Sequence, residues 1–329
     1  MKTQTIEVKG SFQKRFAKGM RRFASQRYLQ LFAILGTIFL VIFCYAPMTG
    51  IIIAFKNYKI STGFAGFFTS DWAANSGFKH FLDLFKSSAF PMVMRNTLVL
   101  SLLKLIFSFP APILFAVALN EVRSSKIKRL TQTVSYLPHF ISWVVVYGLV
   151  FTFFNTSTGV VNRILVDNDI IPKAVEFLAG PDYFWALAVL TDIWKELGWW
   201  SIIFLAAIAG IDQSLYEAAR ADGASRLQCI WNITLPSISG TIMIVLILSV
   251  GSLMAGGMGG SNFDQSFLMG NKVNYEKSAV LGYYVYETGL INLRYSYATA
   301  AGLFQSLISL VLVFGTNYLS KKTSGYGLF

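Results

Sequence analysis

Charged residues are scarce in this chain: Asp, Glu, Lys and Arg make up only 13% of its 329 residues, whereas hydrophobic residues make up 54%. This balance excludes an ordinary soluble domain, in which about a quarter of the residues are charged. Only two cysteines, Cys44 and Cys229, are present. They are too few and too far apart for a disulfide framework, and no redox or metal role follows from them. The composition predicts a membrane protein.

A phosphate-binding loop is also missing, because no Gly-x-x-x-x-Gly-Lys-Ser/Thr sequence occurs. The glycine cluster at residues 256–260 lacks the lysine that would hold a phosphate. It indicates close helix packing or a break at the end of a helix, and a substrate-facing unwound segment remains an alternative. We therefore expect no ATP site, no cofactor and no metal in this chain.

What the sequence does contain is long apolar runs. A helix that crosses about 30 Å of hydrocarbon needs roughly 20 mostly apolar residues. Six segments meet this requirement and predict an all-α protein with six transmembrane helices; they cover approximately residues 29–54, 93–119, 133–154, 183–210, 236–258 and 298–319. The first run is too long for a signal-peptide core of about 7 to 15 residues and predicts a retained span.

The net charge is +12, and its basic residues lie between the apolar runs. This distribution is explained by membrane topology and not by a nucleic-acid-binding surface. The basic residues concentrate in residues 1–28, in the link at 123–129 and after residue 319. Since basic residues resist transfer across an energised membrane, both termini are expected in the cytoplasm. The loops near 55–92, 155–182 and 259–297 are then external. The predicted permease domain covers residues 29–319, followed by a cytoplasmic tail, 320–329.

The connection between spans four and five, residues 211–236, differs from the others. Ser214 and Glu217 have the spacing of a capping box, which predicts the start of a short helix. Gly223 can adopt the left-handed conformation that ends it. Pro236 lacks an amide hydrogen and suits the first turn of span five. A bent element on the cytoplasmic face is expected, although an alanine-rich helix that merely joins two spans would have similar local features.

The same segment resembles the binding-protein-dependent importer permeases of the ATP-binding cassette class. Their signature is Glu-Ala-Ala, three residues, Gly, nine residues, Ile, one residue, Leu-Pro. Every fixed position is matched here, by Glu217, Ala218, Ala219, Gly223, Ile233, Leu235 and Pro236. The resemblance implies the type I importer permease fold, in which this motif is a coupling helix that fits a cleft of the ATPase subunit.

The resemblance extends along most of the chain, through the segments 45–50, 95–97, 118–121, 136–143 and 297–304. These look like importers of oligosaccharides and polysaccharide fragments, including uronate-containing ones. The resemblance implies a bacterial plasma-membrane subunit, without enzymatic activity of its own, that pairs with a second permease. Two ATPase subunits that bind ATP and Mg, and an extracytoplasmic solute-binding protein, complete the implied complex.

Ionisable residues inside spans are costly, which makes them candidates for a transport path. Lys104 in span two and Lys195 in span four are such candidates, and Trp194 and Trp199 offer flat faces for sugar rings. The alternative is that these tryptophans are interfacial and that Asp192 and Lys195 are same-face helix neighbours. His139 is expected to be a packed interfacial residue.

Two other functions are compatible with a membrane protein of this size. An ion-coupled secondary transporter is typically built from internal repeats or discontinuous spans with intramembrane carboxylates, and no half-to-half repeat is evident. A membrane-embedded enzyme needs paired catalytic groups at one depth, but His80 and His139 are predicted on opposite sides. Neither alternative accounts for the motif that begins at Glu217.

Overall fold

The computed structural model describes residues 26–329, so nearly all of the predicted basic segment 1–28 lies outside it. The regular elements in the described range are helices, joined by turns and by one isolated antiparallel bridge between Lys56 and Trp72. The all-α class predicted from the apolar runs is confirmed.

Thirteen helical elements of the described range are numbered; short turns at 60–62, 66–69, 253–255, 257–259 and 275–278 and the π-helical turn at 287–291 are left unnumbered. They are α1 (Tyr28–Phe55), α2 (Lys79–Lys86), α3 (Ala89–Asn120), α4 (Ser125–Phe140), α5 (Trp143–Phe154), α6 (Val160–Asp167), α7 (Phe184–Ala209), α8 (Gln213–Ala221), α9 (Arg226–Ser237), α10 (Ser239–Gly251), α11 (Asn262–Met269), α12 (Leu281–Tyr286) and α13 (Tyr295–Ser324).

Within residues 26–329, three helices are long and apolar enough to cross a membrane by themselves: α1, α3 and α13. Three further pairs satisfy the same criterion only together, because each is sharply bent. The angle is 102° between α4 and α5, 70° between α7 and α8, and 60° between α9 and α10. The six predicted segments therefore fall on these six units, and two of them, 133–154 and 236–258, include the bends before α5 and α10.

The bend before α10 corrects the predicted role of Pro236. This proline lies within α9, in its last turn, and not in the first turn of span five. The preceding residues, Ile230–Thr234, form a π-helical turn. A widened turn of this kind is one way in which a helix accommodates an interruption of its regular hydrogen bonds, and proline supplies such an interruption.

The core consists of side chains from facing helices. One cluster joins α3, α7, α8, α9 and α10 and includes Phe109, Phe204, Ile208 and Tyr216. A second joins α3, α5 and α7 through residues such as Leu100 and Val146. Helices approach most closely at small residues, as is usual in membrane proteins. At Gly198 of α7, an added Cβ would lie only 2.0 Å from the carbonyl oxygen of Ser135, so glycine sets the spacing between α4 and α7.

The predicted external segment 259–297 is not an open loop. It folds into α11, α12 and shorter turns, and Leu281 and Tyr284 are buried against α3 and α13. The amide of Asn96 on α3 donates to the carbonyl oxygens of Glu276 and Ala279 at 2.8 and 3.0 Å. These bonds satisfy backbone groups that would otherwise be buried without partners, and they fix the segment to α3.

Candidate functional site

The helix that carries the Glu217 motif, α8, begins two residues earlier than the capping-box pattern predicts. Its N-cap is Asp212, whose Oδ1 accepts a hydrogen bond from the Ser214 amide at 3.0 Å. This bond holds the pKa of Asp212 below its usual value. The predicted Ser214–Glu217 capping box is wrong, because Ser214 already lies inside the helix and Asp212 takes the cap position. A complete capping box instead begins α9, between Ser225 and Gln228.

The end of α8 follows the prediction. Gly223 has φ +81°, in the left-handed region that favours glycine. Its amide donates to the Arg220 carbonyl at 3.0 Å, and the Ala224 amide donates to the Ala219 carbonyl at 2.9 Å. These two bonds are those of a Schellman motif, which satisfies carbonyl groups at the helix end and turns the chain sharply.

The two helices of this element are joined by a buried hydrogen bond. The hydroxyl groups of Tyr216 on α8 and Thr234 on α9 lie 2.9 Å apart, and both side chains are buried. The seven motif residues divide between the core and the surface. Ala219, Ile233 and Leu235 pack against the core cluster of α3, α7 and α10, whereas Glu217, Ala218, Gly223 and Pro236 are exposed. The element is therefore held rigidly against the helices behind it.

Three large apolar side chains of this element are exposed. Leu215 is 49% exposed, Leu227 68% and Trp231 69%. Burial of three such side chains against a partner stabilises a complex by several kcal/mol, at about 25 cal/mol per Å² of apolar surface. An exposed apolar face on a rigid element is a typical protein-binding surface.

A second group of predicted residues forms a buried charge network between α3 and α7. The Lys104 Nζ lies 3.6 Å from Asp192 Oδ1, and both side chains are almost fully buried. Ser261 stands between them: its hydroxyl accepts from Lys104 Nζ at 2.6 Å and donates to Asp192 Oδ1 at 2.5 Å. Lys104 is thus held by compensating partners rather than presented as a free cation.

Lys195 and Trp199 meet at His139, at the junction of α4 and α5. The Lys195 Nζ donates to the His139 carbonyl at 2.6 Å and lies 3.4 Å from Glu196 Oε1. The other oxygen of Glu196 lies 2.9 Å from His139 Nδ1. The His139 ring stacks on Trp199, with centroids 4.4 Å apart and planes within 2°. The expectation that His139 is a packed residue is consistent with these contacts.

Trp194 lies apart from both groups. It is 45% exposed and borders a groove of about 310 Å³ with Val146, Leu149 and Leu190. This groove is lined almost wholly by apolar side chains. The four residues predicted for the transport path therefore occupy three separate places: Lys104 near Asp192, Lys195 with Trp199 around His139, and Trp194 in the groove.

The glycine cluster is a break in the chain after α10 that also packs closely on α7. Gly256, Gly257 and Gly260 have φ values of +113°, +71° and +58°. A Cβ on Gly259 would lie 2.9 Å from Asp192 Oδ1, so the segment rests directly on the charge network. Both structural readings of the sequence, close packing and a helix break, describe this segment.

A small cavity lies between this glycine segment, α3 and α7. Among the described residues, Ser108 Oγ and Trp200 Nε1 are buried without a hydrogen-bond partner, and both border this cavity together with Lys104 and Asp192. Hydroxyl, indole and charged groups thus converge at one depth. Sequence reasoning did not find Ser261, because a single serine in a glycine-rich segment carries no periodic or motif signal.

No group of three or more His, Cys, Asp or Glu side chains in the range 26–329 has the arrangement of a metal site. The two sites are thus the helix pair α8–α9, which exposes apolar side chains, and a buried polar network that crosses the helix bundle.

Comparison with known proteins identifies the family of this chain. Residues 108–325 match the model of the family described as binding-protein-dependent transport system inner membrane component. The chain is 43% identical over 303 residues to Protein LplB of Bacillus subtilis, covering 92% of this chain and 91% of that protein. It is 41% identical over 304 residues to the polygalacturonan/rhamnogalacturonan transport system permease protein YteP of the same organism, with the same coverage.

Solved structures give the same result. A chain in the crystal structure of a bacterial ABC transporter involved in the import of the acidic polysaccharide alginate has a TM-score of 0.83 and 40% identity, covering 94% of this chain and 99% of that one. The resemblance inferred from the Glu217 motif is confirmed, and the ion-coupled secondary transporter is not supported. With a family model matched over most of its length, this chain belongs to the inner-membrane components of binding-protein-dependent transport systems.

Proposed function

We propose that this permease subunit forms half of the translocation path of an ATP-driven importer of acidic oligosaccharides. Two relatives support the substrate class: one is named for polygalacturonan and rhamnogalacturonan, and one structure belongs to an importer of the acidic polysaccharide alginate. The remaining parts are a second permease, two ATPase subunits that bind ATP and Mg, and a solute-binding protein outside. A crystal structure of the alginate transporter includes such a periplasmic protein bound to an alginate pentasaccharide.

The observation that carries the coupling role is the rigid pair α8–α9. A partner can transmit force through this element only if the element does not deform under load. The Schellman turn at Gly223, the Tyr216–Thr234 hydrogen bond and the buried side of Ala219 supply that rigidity. The exposed Leu215, Leu227 and Trp231 supply the surface that an ATPase subunit would cover. Closure of the ATPase pair would then move α8 and α9 as one body.

The orientation follows from this assignment. If α8 contacts a cytoplasmic ATPase, then both termini are cytoplasmic and α3 and α7 cross the membrane towards it. The six-span arrangement treats each bent pair as one crossing unit, and it is supported by the basic residues at 123–129 and 321–322.

The buried network is the proposed contact between transport path and cargo. In the described conformation Lys104 and Lys195 are each paired with a carboxylate, so neither offers a free positive charge to an acidic sugar. The unwound glycine segment carries Ser261, which lies between Lys104 and Asp192. A displacement of this segment would remove Ser261 and open Lys104 to a carboxylate of the cargo.

Reconstitution of the complete importer tests the function. The permease pair, the ATPase subunits and the binding protein are purified together in lipid nanodiscs, and ATP hydrolysis is measured with matched neutral and uronate-bearing oligosaccharides. We expect stimulation that requires both the binding protein and a uronate-bearing saccharide. Stimulation by neutral saccharides alone would reject the acidic substrate. Saccharide uptake that persists without any ATPase subunit would reject the importer itself.

A further inference from the structure

Another cavity borders the helix pair α8–α9, the coupling element. Its lining is more polar than that of the apolar groove at Trp194. The cavity has a volume of about 630 Å³ and opens between the C-terminal ends of α3 and α7, the link after α3, and the helices α8 and α9. Three arginines from three different elements border it: Arg123 from the link, Arg220 from α8 and Arg226 from the first turn of α9.

The cavity has an excess of positive charge. Glu121 is the one carboxylate among its lining residues, against three guanidinium groups. Within residues 26–329, none of these arginines has a carboxylate oxygen within 4.0 Å. The amides of Asn120 and Gln213 border the same space and are further hydrogen-bond donors. Since like charges that converge on one cavity repel each other, an anion there would be stabilised.

The helix that follows Arg123 points to the source of that anion. Residues Ser125–Tyr136 of α4 form an amphipathic helix, and α4 lies at 102° to α5. Its apolar residues Ile127, Leu130, Val134 and Leu137 are each more than half exposed. Lys126 and Arg129 lie beside this stripe and have no ion pair among the described residues.

An amphipathic helix with basic residues and an uncovered apolar stripe is typical of elements that lie at the headgroup level of an anionic membrane. The guanidinium group matches phosphate geometry through two parallel hydrogen bonds. We propose that the cavity binds the phosphate of an anionic phospholipid from the cytoplasmic leaflet, with the acyl chains along the apolar stripe of α4. This inference rests on the proposed topology, but not on the identity of the saccharide.

A phosphate in this position would contact the coupling element from behind. Arg220 belongs to α8, Arg226 to α9 and Arg123 to the link before α4, so one bound headgroup would join all three. Because the joined element deforms less, ATP hydrolysis in an anionic membrane would be more tightly coupled to transport. Carboxylates of an ATPase subunit are the alternative partners of the same arginines. The experiment distinguishes a lipid phosphate from these carboxylates.

The whole complex is reconstituted in nanodiscs of phosphatidylcholine alone or of phosphatidylcholine and phosphatidylglycerol in equal amounts, and lipids retained by the protein are measured by native mass spectrometry. We compare the wild type with Arg123→Gln/Arg226→Gln. The matched control is Lys321→Gln/Lys322→Gln, which removes two basic groups from the same predicted side of the membrane, outside the cavity.

The wild type and the control are expected to retain phosphatidylglycerol, and the arginine variant to retain it about tenfold less, since two charge-assisted hydrogen bonds are lost. Arg123→Lys/Arg226→Lys is expected to recover part of the retention, which separates loss of binding from misfolding. In proteoliposomes of the same phosphatidylcholine and phosphatidylglycerol mixture, uptake per ATP hydrolysed should fall only in the Gln variant.

Equal retention in the wild type and the Gln variant would overturn the proposal. So would loss of ATPase subunits from the Gln complex with unchanged lipid retention, which would assign the arginines to that interface. Glycerol phosphate added to phosphatidylcholine proteoliposomes distinguishes a soluble ligand: if it restores coupling to the level of the mixed-lipid proteoliposomes, a soluble phosphate and not a lipid occupies the cavity. Saccharide-stimulated hydrolysis by the wild type is read separately and tests the importer function.

Discussion

Lys104 Nζ on α3 and Asp192 Oδ1 on α7 lie 3.6 Å apart in the interior of the helix bundle. The Ser261 hydroxyl forms a hydrogen bond to each of them. The pair differs from the nearest alternative in the sequence, Asp192 with Lys195, which are three residues apart on one helix. The four buried charges of α3 and α7 are matched in sign, since Lys195 is paired with Glu196. This matching makes burial of four charges tolerable in a low-dielectric surrounding.

The buried pair predicts a sharp asymmetry between single and double substitutions. Asp192→Asn leaves Lys104 buried without a compensating charge and is expected to cost about 3 kcal/mol of stability, whereas Lys104→Met/Asp192→Leu recovers most of it. The apparent Tm of the purified complex in detergent measures both. The matched control is Asp182→Asn, which breaks the Lys277–Asp182 pair at 2.9 Å, where Asp182 is 80% exposed. That change should cost less than about 1 kcal/mol. A Tm of Asp192→Asn equal to that of the control would refute the structural role.

Substitution of Gly223 is expected to abolish coupling between ATP hydrolysis and transport without unfolding the protein. Gly223→Asp puts a side chain at φ +81°, which costs about 1 to 2 kcal/mol, and directs it into space that no other atom of the described chain approaches within 4 Å. Gly325 is a matched control, because it has φ +75° and equally open space but lies outside the coupling element. We expect Gly223→Asp to abolish saccharide uptake and binding-protein-stimulated ATP hydrolysis, and Gly325→Asp to keep both. Equal effects of the two would assign the loss to backbone strain alone.

The topology predicts that position 217 is cytoplasmic and that Asp71, Asp167 and Glu276 are external. Single cysteines at these positions can be labelled in intact cells with a membrane-impermeant reagent. The background needs Cys44→Ser and Cys229→Ala, since Cys44 is exposed and Cys229 is buried within α9. We expect labelling at 71, 167 and 276 only. External labelling at 217 would be incompatible with both the orientation and contact with an ATPase.

The proposed cargo contacts predict different substrate profiles. If a uronate displaces Ser261 or Glu196 during transport, Lys104→Gln and Lys195→Gln should reduce uptake of uronate-bearing saccharides more than that of neutral ones. Trp194→Ala should reduce both, because an aromatic face stacks on a sugar ring irrespective of its charge. Uptake is measured at equal surface expression, with basal ATP hydrolysis as the check on folding. Unchanged uptake in all three variants would place recognition in the partner permease or the binding protein.

Features that depend on residues close together in the sequence were predicted well. The lengths of the apolar runs identified the segments that became α1, α3 and α13, because crossing a bilayer requires a fixed length of helix. The left-handed Gly223 followed from the spacing of the Glu217 motif, since a helix end needs a residue without a Cβ there. The family was identified from the same short segment.

The choice between two possible N-cap residues of α8 was decided by the surrounding structure. Asp212 and Ser214 are both good N-cap residues, and the sequence pattern favoured Ser214 because Glu217 follows it. In the folded chain Ile211 is buried in the core cluster just after the end of α7, and Asp212, which follows it, has the extended backbone of an N-cap residue. The bends before α5 and α10 were not predicted, because hydropathy reports the apolar length of a segment and not its direction.

The sequence by itself determined which segments are apolar enough to enter a membrane, which short motif lies between α7 and α9, and to which family the chain belongs, because these properties depend on composition and spacing along the chain. Only the tertiary structure decided that Asp192 pairs with Lys104 and Ser261, that Lys195 and Trp199 meet at His139, and that three arginines from separate elements face one cavity. Charges find partners through helix packing, and packing brings together residues whose separation in the sequence carries no information about their contact.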